Sequence, residues 1–577
     1  PPLHLDRLFL RALVDELRPQ VVGRHIRTAL VDRGAGLLCL ALAPPRPATF
    51  VVSFLREAAG ACLLPVSRPP GEGVATPGLK KLVSSRIASI EMADLDRIVT
   101  ISVGGKRLSG KATAFRLVLE ALGVRADLYL VDAESSGVVE ALSSSRARLG
   151  AGERYQAPTP PPAAASLAAS AVEVEERLAR LTEGSHLKKR STLLAATGAT
   201  PLLVREMEWL VECYGVTAGD AFMRVRSRLE EKRPFLYVPR SPSSGRHCLP
   251  SPLELASESE LAPRAHASFS EAMAEAISLE TEARKLSALR ARLESAVKKR
   301  LDRARRLEER LRSDESSVEE PPSLRRRGEL LLAGLSRARR TGDGRSVFLP
   351  DIFDSEEMEI EIEVDPRLSL PKNAERFFAR ARRAERARIE LAKRLEAVGK
   401  EVSFWEGFEC DLRDASTVVE LEALEREAGY EGLSFPPSRK PAKTRPPETL
   451  GPRSFRSHRG SVILVGRSGR SNDELTFDVA KPHDLWFHAS GVPGAHVVVR
   501  VPSGETADER EIQEAAELAA YYSKRREDTA VDVIVTERRN VSRIKGAPRG
   551  LVKLSSAGET RTLRVTPRRP ENDPGNR

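Results

Sequence analysis

The run Asp484-Leu485-Trp486-Phe487-His488-Ala489-Ser490-Gly491-Val492-Pro493-Gly494-Ala495-His496-Val497-Val498-Val499-Arg500 sets aromatic residues, two histidines and a Pro-Gly turn between strand-like stretches. Aromatic rings that stack on bases, beside polar groups that read base edges, are how proteins hold single-stranded RNA. A Trp-Phe pair equally suits the packing of a core. Upstream, Arg467, Asn472 and Asp473 follow a strand-like run, Ser461 to Gly466; downstream lies a basic tail containing Arg543 and Lys545. Between 538 and 569, ten Lys and Arg residues face the single acid Glu559, a density that fits phosphate contact. The candidate RNA-binding set is therefore Arg467, Asn472, Asp473, Trp486, His488, His496, Arg543 and Lys545. By type, Asp484, His488 and His496 could also be metal ligands or a proton relay, but their spacing is not diagnostic and no obvious nucleophile joins them.

Working outward, residues 453–569 form a C-terminal α+β domain of strands (Ser461 to Gly466, His496 to Val501, Ala530 to Thr536) and one helix, Ala507 to Arg525, with 570–577 as a tail. A Pro/basic linker, 431–452, precedes it. Residues 246–430 read as a long antiparallel coiled-coil arm. Leu286, Leu289, Leu293, Val297, Leu301, Ala304, Leu307 and Leu311 make one narrow apolar stripe; Phe377, Ala381, Ala384, Ala387, Leu391, Leu395, Val398 and Val402 make the other. Met358 to Val364 alternates with period two, so the tip of the arm has a strand of its own. Residues 172–245 are helical, and Thr197-Gly198-Ala199-Thr200-Pro201 punctuates them as a helix-hairpin-helix domain does. A linker at 157–171, Ala- and Pro-rich, separates these from a mixed N-terminal α+β domain, 1–156, with strands at Thr28 to Asp32, Gly36 to Ala41, Thr49 to Phe54, Ile98 to Val103 and Asp127 to Val131 and helices at Leu8 to Leu17 and Gly78 to Ile87. The fold class is α+β multidomain.

A chain of 577 residues exceeds what one core accommodates. Lys and Arg number 93 against 82 Asp and Glu, a net charge of +11, which makes nucleic acid the first partner to consider. The five cysteines are scattered without C-x-x-C spacing, so neither a disulfide framework nor a zinc ribbon is indicated, and a reducing cytoplasm fits. No apolar run approaches the roughly 20 residues of a membrane helix, and the start lacks a signal-peptide core. Gly104-Gly105-Lys106 lacks the glycine and hydroxyl of a phosphate-cradling loop. No nucleotide, metal or other cofactor is implied.

The Asp484 to Val499 passage resembles the signature of the NFACT-R domain, as do Gly466-Arg467, Asn472-Asp473, Ala515 to Ser523 and Lys545-Gly546-Ala547-Pro548. Leu5-Asp6-Arg7-Leu8-Phe9 and Leu128-Tyr129-Leu130-Val131-Asp132 look like NFACT-N. Val364 to Ser369, Lys372 to Phe378 and Gly328-Glu329-Leu330-Leu331 are similar to the coiled-coil landmarks of the RqcH/NEMF family. That resemblance implies a cytoplasmic factor that binds obstructed large ribosomal subunits, through rRNA and ribosomal proteins, and meets peptidyl-tRNA there. It recruits tRNA, tRNA-Ala in bacterial members, for template-independent C-terminal tailing; RqcP is a further partner and no membrane is involved. The ribosome makes the peptide bonds, so the factor is not itself an enzyme. An Asp-Arg pair of NFACT-N contacts tRNA in the family, and Asp96-Arg97 occupies the matching position. One departure stands out. Where the family has Met-Gly-Arg-His-Ser-Asn, this chain reads Leu122-Gly123-Val124-Arg125-Ala126-Asp127, which makes Arg125 the candidate replacement cation at the tRNA.

Two other readings compete. Relatives carry fibronectin-binding labels, which would make the chain an adhesin. NFACT-N also resembles the N-terminal domain of formamidopyrimidine-DNA glycosylases, whose amino-terminal proline is the nucleophile; Pro1 matches by type, but Pro2 stands where that class places a Glu.

Overall fold

Asp6 starts the first helix, accepting the N–H of Leu8 at 2.7 Å. Helix α1 (Arg7–Val21) then buries Phe9, Leu10, Leu13, Val14 and Leu17, a spacing of three and four that turns one face inward. The computed structural model describes residues 5–570 apart from 45–46, 67–72, 95, 107–111, 123–125, 144–146, 160–168, 183–188, 241–245, 354–357, 434–450, 502–506 and 557. Pro1, Arg125, most of the Ala/Pro stretch and the Pro/basic linker lie outside the described residues. The chain divides into two compact units, Pro1–Ala288 and Leu289–Arg577.

In the first unit, α1 is followed by a four-stranded antiparallel meander of β1 (Ile26–Asp32), β2 (Leu37–Leu42), β3 (Ala48–Ser53) and β4 (Gly60–Leu64). After the short α2 (Pro77–Lys80) comes a five-stranded meander of β5 (Arg86–Met92), β6 (Ile98–Lys106), β7 (Ala112–Glu120), β8 (Asp127–Asp132) and β9 (Val138–Ala141). Helix α1 and both sheets share one core, with Phe9, Leu40, Phe50, Ile90, Leu117 and Leu130 inside. The helix expected over Gly78 to Ile87 is a correction. Only its first turn is helical, Ser84 takes a φ of +67°, and β5 then alternates Ile87, Ile90 and Met92 inward.

Four helices follow: α3 (Ala171–Thr182), α4 (Lys189–Thr197), α5 (Pro201–Tyr214) and α6 (Ala218–Glu230). Gly198, at φ +67°, ends α4, and Thr200 caps α5 with Pro201 in its first turn. A three-stranded sheet of β10 (Phe235–Pro239), β11 (Leu249–Ser251) and β12 (Leu261–Ala265), in the order β11-β10-β12, shares their core through Tyr237, Leu249 and Leu261. Residues 249–265, expected in the arm, pair here instead. Helix α7 (Phe269–Ser317) starts on the carboxylate of Glu16, which accepts the N–H groups of Phe269 and Ser270 at 2.8 and 3.0 Å.

In the second unit Leu289, Leu293, Val297, Leu301 and Ala304 of α7 are buried, whereas Leu307 is exposed. Next come α8 (Pro321–Ala333), β13 (Arg339–Arg340), β14 (Ser346–Pro350), β15 (Glu359–Glu363), α9 (Leu370–Asp414) and α10 (Val418–Tyr430). Helix α9 runs antiparallel to α7: Arg290 donates to the carbonyl of Leu412, Arg300 pairs with Glu401, and Glu319, just past α7, pairs with Arg380. Its stripe is only partly buried. Phe377, Ala381 and Val398 are covered while Ala387 is exposed, and Phe404, Trp405 and Phe408 are buried instead. Helix α8 packs closely on α9 where Gly328 meets the Phe378 ring, which a Cβ would approach to 2.9 Å.

The last part of this unit holds β16 (Arg453–Arg456), β17 (Val462–Val465), α11 (Gly469–Glu474), β18 (Leu485–Ala489), β19 (Val497–Val499), α12 (Glu509–Tyr521), β20 (Val531–Glu537), β21 (Val541–Arg543), β22 (Val552–Leu554) and β23 (Thr560–Val565). Six strands form one antiparallel sheet in the order β16-β17-β19-β18-β20-β23, and β21 pairs with β22. Ile512, Ala516 and Ala519 of α12 cover one face of the larger sheet, packing on Phe487, Val497 and Val533.

Asn373, buried at the start of α9, accepts the N–H of Asp365 at 2.8 Å and donates to the carbonyls of Asp365, Leu368 and Ser369. Truncating it strands these groups, each worth about 1 kcal/mol or more. Asn373→Ala is expected to lower the local stability of the β15–α9 junction by about 2 kcal/mol. Hydrogen exchange should show faster exchange over 359–377 and no change in β1–β4; unchanged protection at the junction contradicts the role.

Candidate nucleic-acid interface

Period-two alternation along β18 separates its side chains. Phe487 and Ala489 enter the core under α12. Trp486 packs in a separate cluster with Leu464, Leu475 and Val498. Its ring lies 5.7 Å from that of His488, nearly parallel at 17°, and 5.0 Å from that of His496; the two imidazoles are 5.4 Å apart. Trp486, His488 and His496 of the candidate set are therefore brought together. Trp486 is only 1% exposed, so it offers no open stacking platform; it lines a cavity of about 300 Å³ together with both histidines and Phe404 and Phe408 of α9. Burial pushes the His488 imidazole down to about 4, and burial plus its neighbour His488 pushes His496 down to about 3. Both rings are thus neutral near pH 7 and act as hydrogen-bonding groups, as His496 Nδ1 does with Thr476 Oγ1 at 2.8 Å.

Asn472 and Asp473 build the walls. Asn472 Oδ1 accepts the N–H of His496 at 3.0 Å and its amide donates to the carbonyl of Gly494 at 3.4 Å. Only glycine fits at 466, because a Cβ there would collide with Asn472 Oδ1. Asp473 accepts the N–H of Gly550 at 3.0 Å and faces Arg543 at 3.6 Å. Gly550, at φ +86°, lies against Gly469. Asp484 stands apart from the histidines; its carboxylate accepts the N–H groups of Lys481 and Val501 at 2.8 and 3.2 Å. Arg467 is likewise tied, to Glu420 of α10 and to the carbonyl of Gly451. Burial works against the Glu420 carboxylate, yet the N–H of Ser416 and the cations Arg453 and Arg467 hold it below the usual range.

The loop between β21 and β22 and its flanks carry exposed charge. Arg543 lies over the ring of Phe477 at 4.5 Å, with Arg538 over the same ring at 5.2 Å. Lys545, Arg549 and Lys553 are exposed, and Arg549 reaches the cavity lining. Phe404 and Phe408 were missed in the sequence reading, although the aromatic cluster inside an otherwise charged helix was their signal; Arg549 stood there as one of the ten basic residues between 538 and 569.

In the first unit, the Arg97 guanidinium donates to the carbonyl of Leu5 at 3.1 Å and its backbone N–H donates to Asp96 Oδ1 at 2.8 Å. Desolvation lowers its pKa, opposed by Asp96 and Asp6. The Asp6 carboxyl is raised by burial, against hydrogen bonds that include the Thr200 hydroxyl. Ala121, which leads into the segment holding Arg125, donates its N–H to the Arg97 carbonyl at 2.9 Å. Asp127 closes that segment with its carboxylate buried on Ser143 at 3.0 Å.

A family model described as the NFACT N-terminal and middle domains matches residues 6–446, and one described as the NFACT protein RNA binding domain matches residues 452–555. A protein named Rqc2 homolog RqcH from Bacillus subtilis (strain 168) is 26% identical over 506 residues, covering 85% of this chain and 84% of its own. Its namesake from Streptococcus pneumoniae serotype 2 is 27% identical over 497 residues, with 85% and 84% covered. The solved C-terminal part of a fibronectin/fibrinogen-binding protein from Streptococcus suis is 25% identical and covers 49% of this chain and 96% of its own, with a TM-score of 0.38, too loose an overlap to argue from. Among the described residues no helix is long and apolar enough to cross a membrane.

Because both imidazoles titrate lower in the fold than the ordinary 6.5, the unfolded chain binds more protons as the pH falls. Stability from these groups is complete above about pH 6.5 and is lost as the pH falls toward about 4 for His488 and about 3 for His496. Chemical denaturation of the wild type against a His488→Asn/His496→Gln variant should show a shallower loss in that window for the variant. Parallel pH profiles contradict buried neutral histidines.

Proposed function

Since the chain belongs to the RqcH/NEMF family of ribosome quality control and carries that family's RNA-binding domain, we propose that it acts on obstructed large ribosomal subunits carrying peptidyl-tRNA. There it recruits tRNA, tRNA-Ala, for template-independent C-terminal tailing of the stalled chain. The observation that carries this reading is the family match across residues 6–446 and 452–555. The ribosome forms the peptide bonds, so the protein supplies binding and positioning rather than a catalytic site, and the setting is the cytoplasm, with RqcP as a further partner.

Asp96 and Arg97 carry the tRNA contact in this reading, joined by Arg125 from the neighbouring segment. Anchoring of the Arg97 guanidinium on the Leu5 carbonyl supports a fixed recognition pair over a freely moving side chain. We read α3–α6 as a helix-hairpin-helix domain and the antiparallel α7 and α9 as a coiled-coil arm that gives reach along the subunit. The exposed Arg543, Lys545, Arg549 and Lys553 supply phosphate contacts.

Tagged protein recovered from its own cytoplasm is expected to bring down large-subunit rRNA with one or a few tRNA species; recovery of neither overturns the reading. Asp96→Asn and Arg97→Lys each remove a charge-assisted or forked contact worth about 1.5–3 kcal/mol. Tail synthesis should fall on the order of tenfold or more, with co-sedimentation with the large subunit retained. Unchanged tails refute the role given to the pair.

A further inference from the structure

The cavity beside β18 combines features that a mere packing defect does not. Trp486 is buried, lines it, and keeps an indole N–H with no acceptor among the described residues. A buried donor left unpaired costs about 1–3 kcal/mol, a penalty that an occupant with an acceptor atom relieves. Asp411 also lines the cavity, its carboxyl pushed well above the ordinary range by burial and then by the negative charges of Glu427 and Asp414. Neither histidine carries charge near neutral pH. Apolar walls come from Phe404, Phe408 and Leu551. The interior thus suits a flat, neutral group with acceptor atoms and gives a phosphate nothing to pair with.

Charge lies outside. Ser403, Gly491 and Arg549, at the lining, are exposed to solvent, and Lys545 and Lys553 stand exposed on the same β21–β22 hairpin. A neutral, aromatic interior with a cationic rim divides space as a nucleotide divides its own chemistry, base from phosphate. A volume of about 300 Å³ lies at the small end of ligand sites, enough for one base with its sugar.

We propose that this cavity receives a single nucleobase, held by the Trp486 indole N–H and the aromatic walls, with its phosphate on Arg549 and the neighbouring lysines. The inference rests on the RNA-binding part of the proposed function and adds to it a base-reading site. Acceptor atoms on the ring edge select among bases, so binding is base-dependent, unlike contact with phosphate alone.

The test uses the full chain labelled with 5-fluorotryptophan, the Trp486 fluorine resonance being assigned by Trp486→Phe. Short homopolymeric RNAs and the four nucleoside 5′-monophosphates are the probes. The expected result is that one homopolymer shifts the Trp486 signal and binds more tightly than the others. Trp486→Phe should weaken that homopolymer several-fold and Val492→Trp, which fills the cavity, on the order of tenfold, with the preference between homopolymers gone. If the matching monophosphate also shifts the signal, the site reads a free base; if only RNA does, it reads a base within a chain. Either supports the inference. RNA binding that leaves the Trp486 signal unmoved and is equal in Trp486→Phe overturns it while leaving the proposed function intact. Failure of the wild-type chain to bind RNA or ribosomal subunits removes the proposed function itself. Should Val492→Trp fail to fold, the fluorine signal and Trp486→Phe still decide.

Discussion

The geometry of the C-terminal site depends on one side chain amide. Asn472 occupies space that exists only because residue 466 is glycine, and from there it holds the backbone of both Gly494 and His496. The turn between β18 and β19 is held from outside, by Asp532, Tyr522 and Lys524 through the backbone and by Asn472 at the Gly494 carbonyl and the His496 N–H. Gly466, Asn472, Gly494 and His496 therefore form a single mechanical unit spread over thirty-odd positions. Asp473, one residue on, applies the same device to the Gly550 loop. Adjacent residues at the end of α11 thus fix two loops, and the cavity lies where those loops meet β18.

The first unit uses a buried carboxyl in a comparable way. Asp6 caps α1 through Leu8 and takes the Thr200 hydroxyl at the head of α5. Thr200 and Ala199 are buried there, so the start of α5 faces an internal carboxyl. Arg97, on the Leu5 carbonyl, lies within the field of the same group. The Leu5-Asp6-Arg7 and Asp96-Arg97 motifs, distant in sequence, are two sides of one joint. That arrangement holds Arg97 in place at the cost of desolvating it, a combination that structural ion pairs and recognition sites share.

Periodicity made much of this legible. The strands of the first sheet stood out because their apolar runs are short and bounded by turns, whereas the strand Leu485–Ala489, whose alternation separates core from site, was not among those expected. Gly78 to Ile87 misled for a physical reason: Pro77 and Thr76 do start a helix, but Ser84 breaks it after a turn, a left-handed backbone that composition does not announce. The α9 stripe also overreached, since Ala387 fits the heptad yet is exposed. Small residues mark a close seam only where a partner reaches them, and partner geometry is not written in one helix. Asn472, Asp473 and Arg467 were singled out as RNA contacts; sequence shows that a polar residue is there, whereas only the fold shows the bonds it already makes within the chain.

The same point limits what net charge says. Of the basic residues between 538 and 569, Arg561 is held in two bonds by Glu509, Arg539 pairs with Glu537, Arg543 faces Asp473, and Arg538 donates to the carbonyl of Thr476. A paired arginine still adds to the long-range field, yet its partner's opposite charge cancels much of it at a phosphate one Debye length away, about 8–10 Å. Arg543, still more than half exposed, joins Lys545, Arg549 and Lys553 as the charge of the hairpin next to the cavity, with Arg564 and Arg569 exposed beyond it. A small cationic patch at a neutral aromatic recess gives weaker total attraction than ten free cations and sharper placement, because phosphate and base then have separate, fixed destinations.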